Sequence, residues 1–278
     1  MMYIKGDAVA TTNTIVAPAD DNMSKMIANE PYEINNPTAT SAIAGISQSG
    51  QTKLTRLKLD EVVSLPDNFL GYANNLEEIY LPKCKTFGNY SICGLNNTAG
   101  QLAKLTSWDN VTLSNQINNI GKRFMSGSNL DRIELGDVTA VGYCFAEFCP
   151  RLEYVKFDSL NSFNFTYENK RSSFYQCPNL KIVDFGVCTQ FLGGHQTYSF
   201  NGCTNIKAIV LRRTNAVTTL RDATAFQWLK DNVQGWYFYV PDDLVDTYKN
   251  ATMWSTWYAD YIKPLSEYNK EEILGGGE

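Results

Sequence analysis

The chain has 278 residues, 44% of them hydrophobic and 19% charged, with a net charge of -5. That supplies enough apolar material for a large core, and no run of roughly 18 apolar residues marks a membrane helix. The acidic balance lacks the concentrated basic surface that holds a nucleic-acid backbone, so nucleic acid is not an expected partner.

Residues 1–52 are rich in Ala, Thr, Asn and Ser, broken by Pro18, Pro31 and Pro37, and carry no repeat that the sequence shows. A short helix is expected from about Asp21 to Ala28, capped by Asp20 or Asp21 with Met23, Met26 and Ile27 on one face. Two roles fit this N-terminal extension: a cap over the first repeat, or an attachment segment that inserts into a protein partner. Met1–Ala10 holds no apolar stretch of signal-peptide length. Export by the common route is therefore not expected of the chain as it stands.

From residue 53 to 235 one phrase recurs: an aliphatic, two variable residues, an apolar residue, one variable residue and usually a further apolar one. It reads Leu54-x-x-Leu57-x-Leu59, Leu76-x-x-Ile79-x-Leu81, Leu105-x-x-Trp108, Leu130-x-x-Ile133-x-Leu135, Leu152-x-x-Val155-x-Phe157, Leu180-x-x-Val183-x-Phe185 and Ile206-x-x-Ile209-x-Leu211. The first residues are spaced 22, 29, 25, 22, 28 and 26 apart, the range of one strand-plus-return unit in a solenoid. Alternation within the phrase is that of a short strand with one buried face.

A second half-motif follows: Phe69, Phe124, Phe145, Phe174 and Phe200 each precede the next phrase by six or seven residues. Cys149, Cys177 and Cys203 stand three residues before the next aliphatic, which predicts small buried fillers in a stack. The seven cysteines form no Cys-x-x-Cys pair and share the chain with one histidine, so no metal or cofactor is expected. The third unit has no apolar residue at the sixth position of its phrase, which predicts a short strand.

The combined pattern resembles the BspA-type leucine-rich repeats of gut and oral bacteria and of their phages. The likeness is carried by Asn75-Leu76-Glu77-Glu78-Ile79-Tyr80-Leu81-Pro82, by Phe145-Ala146-Glu147-Phe148-Cys149-Pro150-Arg151-Leu152 and by Ser173-Phe174-Tyr175-Gln176-Cys177-Pro178-Asn179-Leu180. It implies a non-enzymatic scaffold for adhesion or recognition and brings no catalytic residues with it.

Residues 236–278 read as a C-terminal cap and tail. Trp236–Val240 is a strand, Pro241-Asp242-Asp243 opens a helix with Leu244, Val245 and Tyr248 as its stripe, and Trp254, Trp257, Tyr261 and Ile262 fold back over the last coil. The fold class expected is α/β or mainly β: a repeat solenoid of about seven leucine-rich units with a parallel sheet, an N-terminal extension and a C-terminal strand-helix cap.

Candidate chemistry is sparse. A Ser-His-Asp or Cys-His arrangement needs an oriented histidine, and only His195 is present. The outward positions Lys58, Tyr80, Asp109, Glu134, Lys156, Asp184 and Val210 predict a solvated ladder of weak ion pairs. Two long units place Phe163, Phe165 and Tyr167, then Phe191, His195 and Tyr198, where insertions bulge outward. On such loops these residues form a candidate ligand-binding surface for a glycan or protein receptor; the alternative is that the rings pack on their own coil.

The expected function is a non-enzymatic structural or binding protein displaying its repeats. The reading put first is a phage virion component, of tail, fibre or capsid, attached through residues 1–52. The alternative is a bacterial cell-surface adhesin, at the cell surface or secreted. Neither membrane insertion nor a cofactor is expected, and a homo-oligomer is compatible with sheet edges at both ends.

Overall fold

The structure is a computed structural model that describes residues 52–93, 102–166, 172–193 and 199–275, with the strands Thr14–Ile15, Tyr32–Asn35 and Ser41–Ala42 before them. The expected helix around residues 21–28 lies outside the described residues.

The repeats stack as parallel coils, each contributing up to two strands. The first ladder runs through Tyr32–Asn35, Leu54–Lys58, Glu78–Leu81 and Val111–Leu113. It resumes with Arg132–Val141, Tyr154–Asn164, Ile182–Asp184, Ala208–Val210, Tyr237–Val240 and Ile262–Pro264. A second ladder, carrying the return segments, includes Ser64–Leu65, Thr86–Phe87, Asn119–Ile120, Gln190–Leu192 and Thr219–Leu220. Arg132–Val141 and Tyr154–Asn164 are single long strands that serve both ladders, so the corner between the ladders is straightened in those two units.

Register is held from inside. Leu57, Ile79 and Val111 are in line, as are Ile133, Val155, Val183, Ile209 and Phe238, and all of these are buried. The return-segment phenylalanines stack into a spine: Phe124 lies 5.8 Å from Phe145, Phe145 6.0 Å from Phe174, and Phe174 5.2 Å from Phe200. One apolar cluster runs from Leu54 to Ile262. At about 1.5–3 kcal/mol for each large side chain buried, it supplies most of the drive to fold.

Three polar or small columns fix each coil on the next. The thiols of Cys149, Cys177 and Cys203 donate to the carbonyls of Met125, Ala146 and Phe174 in the preceding coil, at 3.3, 3.0 and 2.8 Å. The side-chain amides of Asn75, Asn129, Asn179 and Asn205 donate to the carbonyls of Thr52, Ala103, Pro150 and Pro178, at 2.6 to 3.1 Å. Where the second ladder turns, Gly88, Gly121 and Gly142 let backbones touch: a Cβ on Gly121 would stand 2.5 Å from the Gly88 carbonyl carbon, and one on Gly142 2.7 Å from that of Gly121. Left-handed residues two positions later, Tyr90, Arg123 and Cys144, complete the corner.

Arg123 and Glu147 form an ion pair at 3.3 Å with side chains 3% and 0% exposed. Neither charge is tolerable there without the other.

One expectation is corrected. Leu105-x-x-Trp108 is not a strand: Leu105 is buried, Trp108–Asn110 is a 3-10 helix capped by Ser107, and the strand follows as Val111–Leu113. The long spacing before this unit had moved the strand downstream of the phrase, so Thr112 and not Asp109 takes the outward place beside Tyr80. Within residues 1–52, Tyr32–Asn35 joins the stack, pairing in parallel with Leu54–Lys58, Tyr32 facing Leu54. Thr14–Ile15 pairs in parallel with Ser41–Ala42.

At the other end, Tyr237–Val240 and Ile262–Pro264 extend the first ladder. Helix α1 (Gln227–Asn232) buries Leu229, and its last-turn carbonyl at Leu229 accepts from the Trp236 indole at 3.1 Å. Helices α2 (Val245–Asn250) and α3 (Trp254–Trp257) bury Tyr248 and Trp254. Buried Thr218 joins both: its N–H donates to Tyr248 Oη at 2.9 Å, and its carbonyl accepts from Trp254 Nε1 at 2.9 Å. Trp257 of the expected cover remains 36% exposed.

Candidate recognition face

A strand in the first ladder turns alternate residues inward, so those between form a flat outer face in two columns. By register, one column is Arg56 and Glu78, then Arg132, Tyr154, Ile182, Ala208 and Tyr237. The other is Lys58, Tyr80 and Thr112, then Glu134, Lys156, Asp184, Val210 and Tyr239. Both columns change from charged to apolar along the stack.

The charged half is open. Arg56 pairs with Glu78 at 3.3 Å, and Lys58 lies 5.0 Å from the centre of the Tyr80 ring. Arg132 holds Asp109, Asp131 and Glu134 together. Burial of Arg132 works against its charge, but the Asp131 and Asp109 carboxylates outweigh it and raise its pKa. Lys156 binds Asp158 at 2.6 Å, a hydrogen bond that raises the lysine pKa. Exposed pairs of this kind contribute little stability; they make a face of fixed, alternating charge around one tyrosine.

The apolar half is covered by the chain's own end. Tyr154, Ile182, Ala208, Val210 and Tyr239 form a second buried cluster, against which Leu265, Tyr268, Ile273 and Leu274 pack. Helix α4 (Lys270–Leu274), capped by Asn269 and closed by left-handed Gly275, supplies the last two. Lys270 stands 4.0 Å from the centre of the Tyr154 ring, and the Tyr239 and Tyr268 rings are 5.3 Å apart. Burial raises the phenol pKa of both Tyr154 and Tyr268.

Asp184 lies at the floor of this half. Expected in a solvated ladder, it is instead fully buried, because residues 265–274 shield the strand on which it stands. Arg212 donates to it through Nε and Nη2, both at 2.8 Å, and the Gly186 N–H adds a bond at 3.0 Å.

The residues singled out in the long units divide. Phe163 and Phe165 lie at 0% exposure inside Tyr154–Asn164 and just past it, and Phe191 is likewise buried within Gln190–Leu192. Their placement on outward loops is corrected: the second ladder continues through both segments and turns these rings inward. Phe163 packs 4.8 Å from Phe165 and 5.0 Å from Phe185, and Phe165 5.6 Å from Phe191. Tyr167, His195 and Tyr198 lie outside the described residues.

All seven cysteines are free and buried. Burial raises the Cys84, Cys93 and Cys188 thiols to about 12 and lifts Cys149 and Cys177 well above the ordinary value. Among the described residues there is no group of three potential metal ligands, and no helix is long and apolar enough to cross a membrane.

Residues 100–207 and 143–229 match the family model of the BspA type leucine rich repeat region, in six copies. The chain contains a BspA-type leucine-rich repeat region. No curated protein matches the chain. Stacked repeats of this kind build extended surfaces. In this stack the outward surface of the first ladder is the two-column face, half open and half covered by residues 265–274.

Proposed function

We propose that this chain is a non-enzymatic recognition protein of the bacterial cell-surface adhesin kind, whose protein or glycan partner docks on the open half of the outer face. The observation that carries the reading is the column pair Arg56, Glu78, Lys58 and Tyr80, continued by Arg132, Glu134 and Lys156. Rigid strands hold these groups at fixed spacing while leaving them at least partly solvated. Such a face offers a partner oriented charges and one aromatic ring without a cost of ordering.

Two further features support a binding role over catalysis. The described thiols whose pKa is shifted are all held neutral by burial, and the buried carboxylates of Glu147 and Asp184 are each engaged by an arginine. A virion component attached through residues 1–52 is the less supported alternative, since Tyr32–Asn35 is joined to the ladder as a further strand of the face.

The test is adhesion. Purified protein is screened against bacterial and host-cell surfaces and a glycan array, and the best binder is then measured against Lys58→Ala/Tyr80→Ala and Arg132→Ala. Each variant is expected to weaken binding about ten-fold or more while melting within about 4 °C of the parent, because exposed pairs contribute at most about 1 kcal/mol to stability. Unchanged binding by both variants refutes the assignment of this face.

A further inference from the structure

We infer that residues 265–274 are a resident pseudo-ligand: a strap that opens from the aromatic half of the outer face, which then takes a short amphipathic helix of a protein partner. The inference rests on the recognition reading above and extends it from the open half of the face to the closed half.

The covered floor is unlike an ordinary core. It stands on the opposite side of the sheet from the main apolar cluster and consists of Tyr154, Ile182, Ala208, Val210 and Tyr239 around the Asp184–Arg212 pair. A solenoid needs no such second core, since its coils are already joined through the interior. The charge pair also makes coverage costly, because closing the strap removes Asp184 from water.

The strap itself is lightly held. Its backbone is tied to the stack at Ser266, whose N–H donates to Asp242 at 3.0 Å, and at the Leu274 carbonyl, which accepts from Lys181 at 3.3 Å. At its N-terminal end the Ser266 side chain and the Leu265 backbone also reach Asp242, and Glu267 pairs with Lys263 at 3.3 Å, whereas from Tyr268 onward the remaining bonds, Tyr268 to Leu265, Glu272 and Ile273 to Asn269, and Gly275 to Glu272, are internal. Leu265, Tyr268, Ile273 and Leu274 all keep part of their surface in water. The Tyr268 hydroxyl is buried with no hydrogen-bond partner, which opposes closure.

What the strap places on the floor defines the occupant it stands in for. One tyrosine ring lies against Tyr239 and 5.8 Å from the Arg212 guanidinium, one lysine lies over Tyr154, and two adjacent aliphatic residues end a single helical turn. A partner segment with a tyrosine two residues before a helical turn that carries a basic residue and an aliphatic pair satisfies the same groups. The resident segment excludes it while closed, since a tethered copy acts at high effective concentration.

The experiment uses the full chain carrying Ala208→Cys, a small change at a buried position under the strap. Labelling by a maleimide in native buffer is followed by intact mass and peptide mapping, with Cys177 of the interior as internal reference. Position 208 is expected to label at least ten-fold faster than Cys177, and a further ten-fold faster when Ile273→Asp/Leu274→Asp is added. A fluorescent peptide of residues 264–275 is expected to bind the Ile273→Asp/Leu274→Asp chain and not the parent.

Labelling of position 208 no faster than Cys177 in either background means that the strap opens only with global unfolding, which overturns the inference. Fast labelling without peptide binding overturns the assigned occupant. If the double variant melts early, Leu274→Ser replaces it under the same criteria. Labelling is independent of the adhesion screen, so a failed strap and a failed recognition face are told apart.

Discussion

Replacing Phe163 by Ala separates a packed ring from a displayed one. Phe163 is fully buried, with ring centroids of Phe145, Phe157, Phe165, Phe174 and Phe185 between 4.8 and 6.1 Å away. Truncating a buried phenylalanine costs about 3–5 kcal/mol in lost transfer energy and cavity. The upper part of that range applies, because five rings lose a neighbour and two of them, Phe157 in the same strand and Phe165 just past its end, share its stretch of chain. In a domain of this size each kcal/mol moves the melting temperature by roughly 2–4 °C, so a drop of about 8–20 °C is expected. Calorimetry and urea unfolding with Val63→Ser as control measure it; Val63 is 53% exposed and its change is expected to stay within about 0.5 kcal/mol. A Phe163→Ala protein that melts with the parent refutes the inward placement and returns the ring to a surface loop.

Two further outcomes test the columns. Gly142→Ala forces a Cβ to 2.7 Å from the Gly121 carbonyl carbon and is expected to cost about 1–3 kcal/mol by overpacking, read as a lower urea midpoint; an unchanged midpoint rejects the close approach of coils. The buried thiols predict alkaline destabilisation. Their folded pKa is raised above the unfolded value, so the stability they contribute is complete below about pH 8.5 and is lost as pH rises toward about 12. Between those limits the unfolded state releases protons that the folded state keeps, and each raised thiol removes about 1.4 kcal/mol per pH unit. Urea midpoints under reducing conditions are expected to fall steeply from pH 9 to 10.5; a flat profile shows that the thiols titrate in the folded chain.

The inward half of the fold is legible in the sequence because burial repeats with the coil. The aliphatic phrase, the phenylalanine spine and the Cys149, Cys177 and Cys203 column all recur at nearly constant spacing and prove buried, except for Trp108 of the third unit, which is half-buried. The asparagine column was equally available: Asn75, Asn129, Asn179 and Asn205 each directly precede the first aliphatic of a phrase. Ser162-Phe163-Asn164-Phe165-Thr166 also alternates with period two, a strand signal that outweighs the length of its unit. The third unit misleads for a physical reason. Leu105 is buried as a phrase leader should be, but a capped 3-10 turn intervenes and the strand is supplied by Val111 and Leu113. Asp184 is hidden from any local reading, because the group that buries it is contributed by residues far along the chain, 265–274.

The division of labour among the columns explains how one stack carries a face of two characters. Thiol, amide and glycine contacts between coils, with the phenylalanine spine, settle register without using any outward position. Outward residues are therefore free of the folding constraint, and their composition reports what each part of the face meets. Where the column reads Arg56, Glu78 and Arg132, it meets water. Where it reads Tyr154, Ile182, Ala208 and Tyr237, an apolar partner must be present for the chain to remain soluble, and the strap is that partner in the closed form. In the first column the switch occurs between Arg132 and Tyr154, register partners on adjacent strands, whereas the second stays charged through Lys156 and Asp184 and turns apolar at Val210. A ligand long enough to cross that step engages both halves and has to displace the strap, so its affinity is expected to rise in the Ile273→Asp/Leu274→Asp chain, whereas a ligand confined to Lys58 and Tyr80 is indifferent to it.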